Sequence, residues 1–140
     1  MSARILVVDD NPTNLKLVSD VLAYEGHDVL QAVNAEEAQV LLASVLPDLI
    51  LTDIALPGMD GLTFTRRVKA AGRTGQVRIV ALTAFAMKGD DLKAFAAGCD
   101  GYITKPIDTR RFPGQVAAFL EGIPARPPAD ATTLVTPLFP

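Results

Sequence analysis

Five short, largely apolar runs, each followed by a segment of helical periodicity, constrain this chain more than anything else in it. The runs occupy residues 5–8, 28–32, 49–51, 77–82 and 101–104. Apolar residues that follow one another without polar alternation predict strands covered on both faces, which is the habit of a parallel sheet. The first intervening segment opens at Asn11-Pro12, an N-cap followed by proline at the first helical position, and places Leu15, Val18 and Leu22, with Leu17 and Val21, at helical spacing. Gly26 ends it. Asn34 caps a second helix carrying Ala38, Val40, Leu41 and Leu42. Pro57-Gly58 turns the chain into a third over residues 61–71, with Leu62, Phe64 and Val68 facing inward. An alanine-rich fourth helix covers residues 89–97, and a fifth carries Phe112, Val116, Phe119 and Leu120. Five βα units predict an α/β fold: an open, doubly wound parallel sheet, because right-handed crossovers leave few other topologies. A closed eight-stranded barrel needs far more than these 140 residues.

That length suits one domain with a single core, expected over residues 1–121. Residues 122–140 lose all periodicity and contain Pro124, Pro127, Pro128, Pro137 and Pro140, which predicts a flexible tail or a linker stub. A net charge of -3 and no basic stripe argue against nucleic acid as a direct partner. The single cysteine, Cys99, excludes an intramolecular disulfide and a cysteine-built zinc site, and is expected to pack as a small apolar side chain. Only four strongly apolar residues follow the first four, too few for a signal peptide or a membrane span, so a cytoplasmic location is expected.

The polar residues are placed where the strands end. Asp9 and Asp10 close the first, Asp53 the third, Thr83 the fourth and Lys105 the fifth. In a parallel sheet those ends share one edge, where open α/β folds bind their ligands. Two carboxylates about 4 Å apart repel by about 4 kcal/mol at an effective dielectric near 20. Three acids against one lysine leave the crevice negative, and a hard divalent cation with oxygen ligands relieves it. Magnesium suits a few carboxylates plus waters. Zinc would want histidine or cysteine, and His27 and Cys99 fall elsewhere in the chain. An aspartate beside a magnesium ion and an ammonium can act as a nucleophile toward a phosphoryl group.

Four stretches carry a family resemblance: Val8-Asp9-Asp10-Asn11; Leu51-Thr52-Asp53 running on through Pro57 to Gly61; Leu82-Thr83-Ala84; and Tyr102-Ile103-Thr104-Lys105-Pro106. In that order they resemble the receiver domain of response regulators, over about residues 3–121, and residues 82–90 with Gly98-Cys99 are similar to the single-domain DivK type. The resemblance implies a flavodoxin-like, CheY-like sheet of order 2-1-3-4-5. It implies that Asp53 is the phosphoacceptor, that Asp10, Asp53 and the Ala55 carbonyl hold Mg2+ with Asp9 assisting through water, and that Lys105 pairs with the phosphoryl group across a cis bond to Pro106. Thr83 and Tyr102 would form the switch. The phosphoryl donor would be a phosphohistidine on a sensor histidine kinase or a histidine phosphotransfer protein. Targets would dock on the face made by the fourth helix, fifth strand and fifth helix.

The resemblance further implies a phosphorelay signalling domain rather than an enzyme with turnover, a monomer or weak dimer, with no nucleic-acid or membrane partner. His27 lies in a Gly-His-Asp turn and is not itself a phosphohistidine site. Pro113-Gly114 interrupts the final helix, which should begin late or kink. Gly89 and Gly98 bound the fourth helix, which predicts a mobile element, and Ala55 and Phe85 occupy positions that tune phosphoryl lifetime in the family.

Rival readings lose on specific residues. A phosphatase of the haloacid-dehalogenase type wants an acid two residues after its nucleophile, where this chain has Ala55. A flavin-binding protein would meet repulsion from Asp9 and Asp10. A receiver without phosphorylation chemistry would not need all five polar residues. Within signalling, a stand-alone regulator is favoured by the Met1 start, and a receiver excised from a hybrid histidine kinase is the alternative.

Overall fold

The computed structural model describes residues 3–83 and 90–121. In chain order the elements are β1 (Arg4–Val8), α1 (Pro12–Tyr24), β2 (Asp28–Ala32), α2 (Ala35–Leu42), β3 (Leu49–Asp53), α3 (Gly61–Ala70), β4 (Arg78–Thr83), α4 (Asp90–Ala97), β5 (Gly101–Thr104) and α5 (Phe112–Leu120). The strands form one five-stranded sheet of order β2-β1-β3-β4-β5, with every neighbouring pair parallel. This is the CheY-like, flavodoxin-like topology that the resemblance implied.

The unbroken apolar runs follow from a core on each side of the sheet. Successive strand residues point to opposite faces. In β1, Leu6 and Val8 join one core with Ile50, Phe64, Val68 and Ile79, whereas Ile5 and Val7 join the other with Leu22, Leu49, Leu51, Phe112 and Val116. Both cores are built from buried apolar side chains, which is why the strands read as near-continuous apolar runs.

Helix starts are fixed by short side chains. The Asn11 side chain accepts hydrogen bonds from the amides of Thr13 and Asn14, Asn34 accepts from Glu37 at 2.7 Å, and Asp60 accepts from Thr63 at 2.7 Å. The Thr63 amide holds the Asp60 carboxyl below its ordinary pKa, so that cap stays charged. α5 begins at Phe112, so Pro113 lies in its first turn, where its missing N–H costs nothing, and Arg111 precedes the helix without a side-chain cap.

Several boundaries and faces differ from the sequence expectation. β4 starts at Arg78 rather than at residue 77 and includes Thr83, and α3 stops at Ala70 rather than at residue 71. Leu17 is 38% exposed and Val40 72% exposed. Each lies two residues, about 200° around the helix, from a buried partner, Leu15 or Ala38, so it must leave the face that partner occupies. Gly89, Phe85 and the proline-rich segment 122–140 lie outside the described residues. Among the described residues no helix is long and apolar enough to cross a membrane.

The contrast between buried and exposed apolar positions is measurable. Phe64, fully buried, should cost about 3–5 kcal/mol when replaced by alanine. Val40→Ala should stay within about 0.5 kcal/mol. Urea unfolding of the two variants checks both, and equal losses would mean that the assignment of helix faces is wrong.

Candidate functional site

Because all five strands run the same way, their last residues meet along one edge. β1 runs on into Asp9 and Asp10, β3 ends at Asp53, β4 at Thr83, and β5 runs on into Lys105. The carboxylates of Asp9, Asp10 and Asp53 each present an oxygen, and these oxygens all lie within 4.8 Å of one another. The backbone of Lys105 is tied to the same edge by its N–H, which donates to the Thr83 carbonyl at 2.7 Å, and the Lys105–Pro106 bond is cis.

Lys105 reaches back across the edge. Its Nζ donates to Asp53 Oδ2 at 2.9 Å and to Asp9 Oδ2 at 3.1 Å. The remaining oxygens of both acids are held by backbone: Asp9 Oδ1 accepts from Asn11 N at 2.9 Å, and Asp53 Oδ1 from Ala55 N at 3.1 Å. Asp9 is wholly buried and Asp53 nearly so, whereas Asp10 is exposed. Among the described residues the Asp10 carboxylate has no hydrogen-bond or ion-pair partner.

Burial alone would lower the Lys105 pKa, but the hydrogen bonds and charges of Asp53 and Asp9 outweigh it and leave the amine above its ordinary value. A raised lysine pKa stabilises the fold at every pH below the unfolded value, and that contribution disappears only as pH rises through the folded one. At neutral pH the ammonium is therefore a fixed positive charge. Three carboxylates against this one ammonium leave two negative charges, with Asp10 open to solvent. The donor set is entirely oxygen, the preference of a hard divalent cation rather than zinc.

Thr83 is buried at the end of β4. Tyr102 pairs in register with Ala81, and Thr83 with Thr104, so Tyr102 and Thr83 lie on the same face of adjacent strands, one pair apart. The Tyr102 ring is 40% exposed and meets the Phe95 ring of α4 edge-on. Ala55 is exposed beside Asp53. His27 is remote from this edge, in the turn before β2. Its Nδ1 accepts from the Ala3 amide, and burial lowers its pKa.

Two contacts near the site have no clear sequence signal. Glu36, in the first turn of α2, accepts from the Met59 amide at 3.3 Å and so tethers the β3–α3 loop. In sequence it reads only as an acid favourable to the helix dipole. That loop folds back so tightly that a methyl group on Gly61 would collide with the Asp53 carbonyl. The second contact is Phe95 on Tyr102, made between residues from different elements. Cys99 is buried, with its thiol pushed up chiefly by desolvation, which makes it a packing group and a poor nucleophile.

Removing the lysine charge tests this electrostatic balance. Lys105→Ala should destabilise the protein by about 3 kcal/mol in chelator at neutral pH, the lower end for breaking a buried ion pair, since one side of the site is open. Urea unfolding of both proteins measures the difference, and excess Mg2+ should narrow it. A variant as stable as its parent would show that the acids do not need the ammonium.

Residues 5–117 match the response regulator receiver domain family. The chain is 38% identical over 120 residues to the polar-differentiation response regulator DivK of Brucella anthropi, covering 86% of this chain and 98% of that protein. Among solved structures it is similar to a response regulator from Chloroflexus aurantiacus, with a TM-score of 0.81 and 32% identity, covering 86% of this chain and 98% of that one. It is also similar to the receiver domain of the sensor histidine kinase PA1611 of Pseudomonas aeruginosa, solved with a magnesium ion coordinated in its active-site cleft. There the TM-score is 0.78 at 30% identity, over 86% of this chain and 98% of that one. With its sheet order, its acidic edge and its sequence in agreement, the chain belongs to the receiver domain family of two-component response regulators.

Proposed function

We propose that this chain is a phosphorylation switch of a phosphorelay, and that Asp53 is its phosphoacceptor. The observation that carries the reading is the Lys105 ammonium, 2.9 Å from Asp53 and 3.1 Å from Asp9, in a cluster whose carboxylates remain in excess. Of the two acids that Lys105 holds, Asp9 has a side chain with no exposure, while that of Asp53 retains 11% and can be reached from solvent.

In the transfer an Asp53 carboxylate oxygen attacks the phosphorus of a phosphohistidine. The new O–P bond forms as the P–N bond breaks, and the donor imidazole leaves with the pair of electrons and takes up a proton. Lys105 stays paired with the charge that moves from the carboxylate onto the phosphoryl oxygens. The carboxylate cluster fits Mg2+, which Asp10, Asp53 and the Ala55 carbonyl would hold, with Asp9 assisting through water. Bound there, the ion supplies charge neutralisation for the phosphoryl group. The magnesium ion in the cleft of the PA1611 receiver supports this assignment.

The partners of this reading are a sensor histidine kinase or phosphotransfer protein upstream and a protein target on the α4–β5–α5 face. The switch is Thr83, drawn toward the phosphoryl group, with the Tyr102 ring following inward. Residues 1–121 then form the receiver. A stand-alone regulator is supported by the near-complete coverage of the DivK relative. A receiver from a hybrid histidine kinase is the second reading, favoured by the likeness to the PA1611 domain.

Incubation with Mg2+ and acetyl phosphate, followed by intact mass spectrometry, tests the assignment. The protein should gain one phosphoryl group, chelator should prevent the gain, and Asp53→Ala should show none. An equal gain in the alanine variant would place the chemistry on another residue.

A further inference from the structure

We infer that Phe95 is a positioning residue for the switch. Its ring holds Tyr102 outward in the unphosphorylated protein, and so sets how readily the tyrosine turns in. The inference rests on the reading above that Tyr102 reorients.

In β5 buried and exposed residues alternate. Ile103 enters the core shared with α5, and Gly101 is covered so closely by Phe119 that a methyl group there would collide with its ring. Tyr102 must therefore face the other side of the sheet, toward α4. Its neighbours there are small: Ala81 stands opposite it in register, Thr83 follows on the same face, and α4 turns Ala94 and Ala97 inward. None of these side chains is large enough to clamp a tyrosine ring in place.

Among the described residues, Phe95 of α4 meets it with a ring. The two ring centroids are 6.2 Å apart with planes at 76°, an edge-to-face pair, and Phe95 is 48% exposed. Neither Phe95 nor Tyr102 belongs to either hydrophobic core. Phe95 is half-exposed, and among the described residues its aromatic contact is with Tyr102. Turning Tyr102 inward would give up that contact, and pairs of this geometry bias a two-state population by about two- to tenfold. Phe95 therefore raises the threshold for switching without touching the phosphorylation chemistry.

The test places 3-fluorotyrosine in the full chain on a Tyr24→Phe background, so that Tyr102 is the sole fluorine probe. Tyr24 is 90% exposed, so its replacement removes little packing. Fluorine NMR spectra are recorded with and without Mg2+ and beryllium fluoride as a phosphoryl mimic. The parent resonance should move when the mimic binds. Phe95→Ala should already lie part-way along that shift without the mimic, with the inward population raised about two- to tenfold. Phe95→Leu should fall between the two. Urea midpoints verify that all variants are folded. If the parent moves but Phe95→Ala does not differ from it, the inference is overturned while the switch reading stands. If the mimic binds and the parent resonance stays put, the Tyr102 switch itself fails and the inference falls with it.

Discussion

Charge crowding at the carboxyl edge of the sheet is the constraint on which the rest of this structure depends. Three carboxylates with oxygens within 4.8 Å of one another repel strongly wherever water is thin, and one of them, Asp9, has no exposure at all. The fold answers with a set of fixed donors. Lys105 bridges the two least exposed acids, and the amides of Asn11 and Ala55 take their remaining oxygens. What the chain does not neutralise is concentrated on Asp10, at the solvent side.

The architecture delivers those donors. A parallel sheet with an apolar core on each face brings the end of every strand to the same edge. The three strands involved are next to one another in the order β1-β3-β4 or, for Lys105, at the adjoining edge strand β5. The link from β5 to β4 is direct, since the Lys105 amide donates to the Thr83 carbonyl. The ammonium that pairs with the acids and the strand end that bears Thr83 are therefore mechanically joined. Tyr102 lies three residues before Lys105, which places a surface aromatic and the ammonium of the acidic cluster on one short segment.

Much of this was legible in the sequence, because it depends on local rules. Apolar runs that stop at Asp9, Asp53 and Thr83 mark strand ends whatever the tertiary structure, and Asn11 and Asn34 are caps by virtue of side-chain length. The gathering of Asp9, Asp10, Asp53 and Lys105 at one edge follows from parallel topology. Less legible were features fixed by the angle around a helix or by contacts between elements. Leu17 and Val40 are apolar yet point outward, because one stripe of each helix is already filled by Leu15, Val18 and Leu22 or by Ala35, Ala38 and Leu42. The tether from Glu36 to the Met59 amide spans 23 positions, and the Phe95–Tyr102 pair joins an exposed helix position to an edge strand. No local periodicity encodes either one.

A divalent cation would balance the excess negative charge, and thermal unfolding followed against Mg2+ concentration tests this most directly. A cation that binds only the folded state stabilises it progressively as its concentration passes the dissociation constant. The parent should gain stability in this way, whereas Asp10→Asn should be more stable than the parent in chelator and nearly indifferent to Mg2+. A parent that ignores Mg2+, or an Asp10→Asn protein that responds as the parent does, would contradict the account.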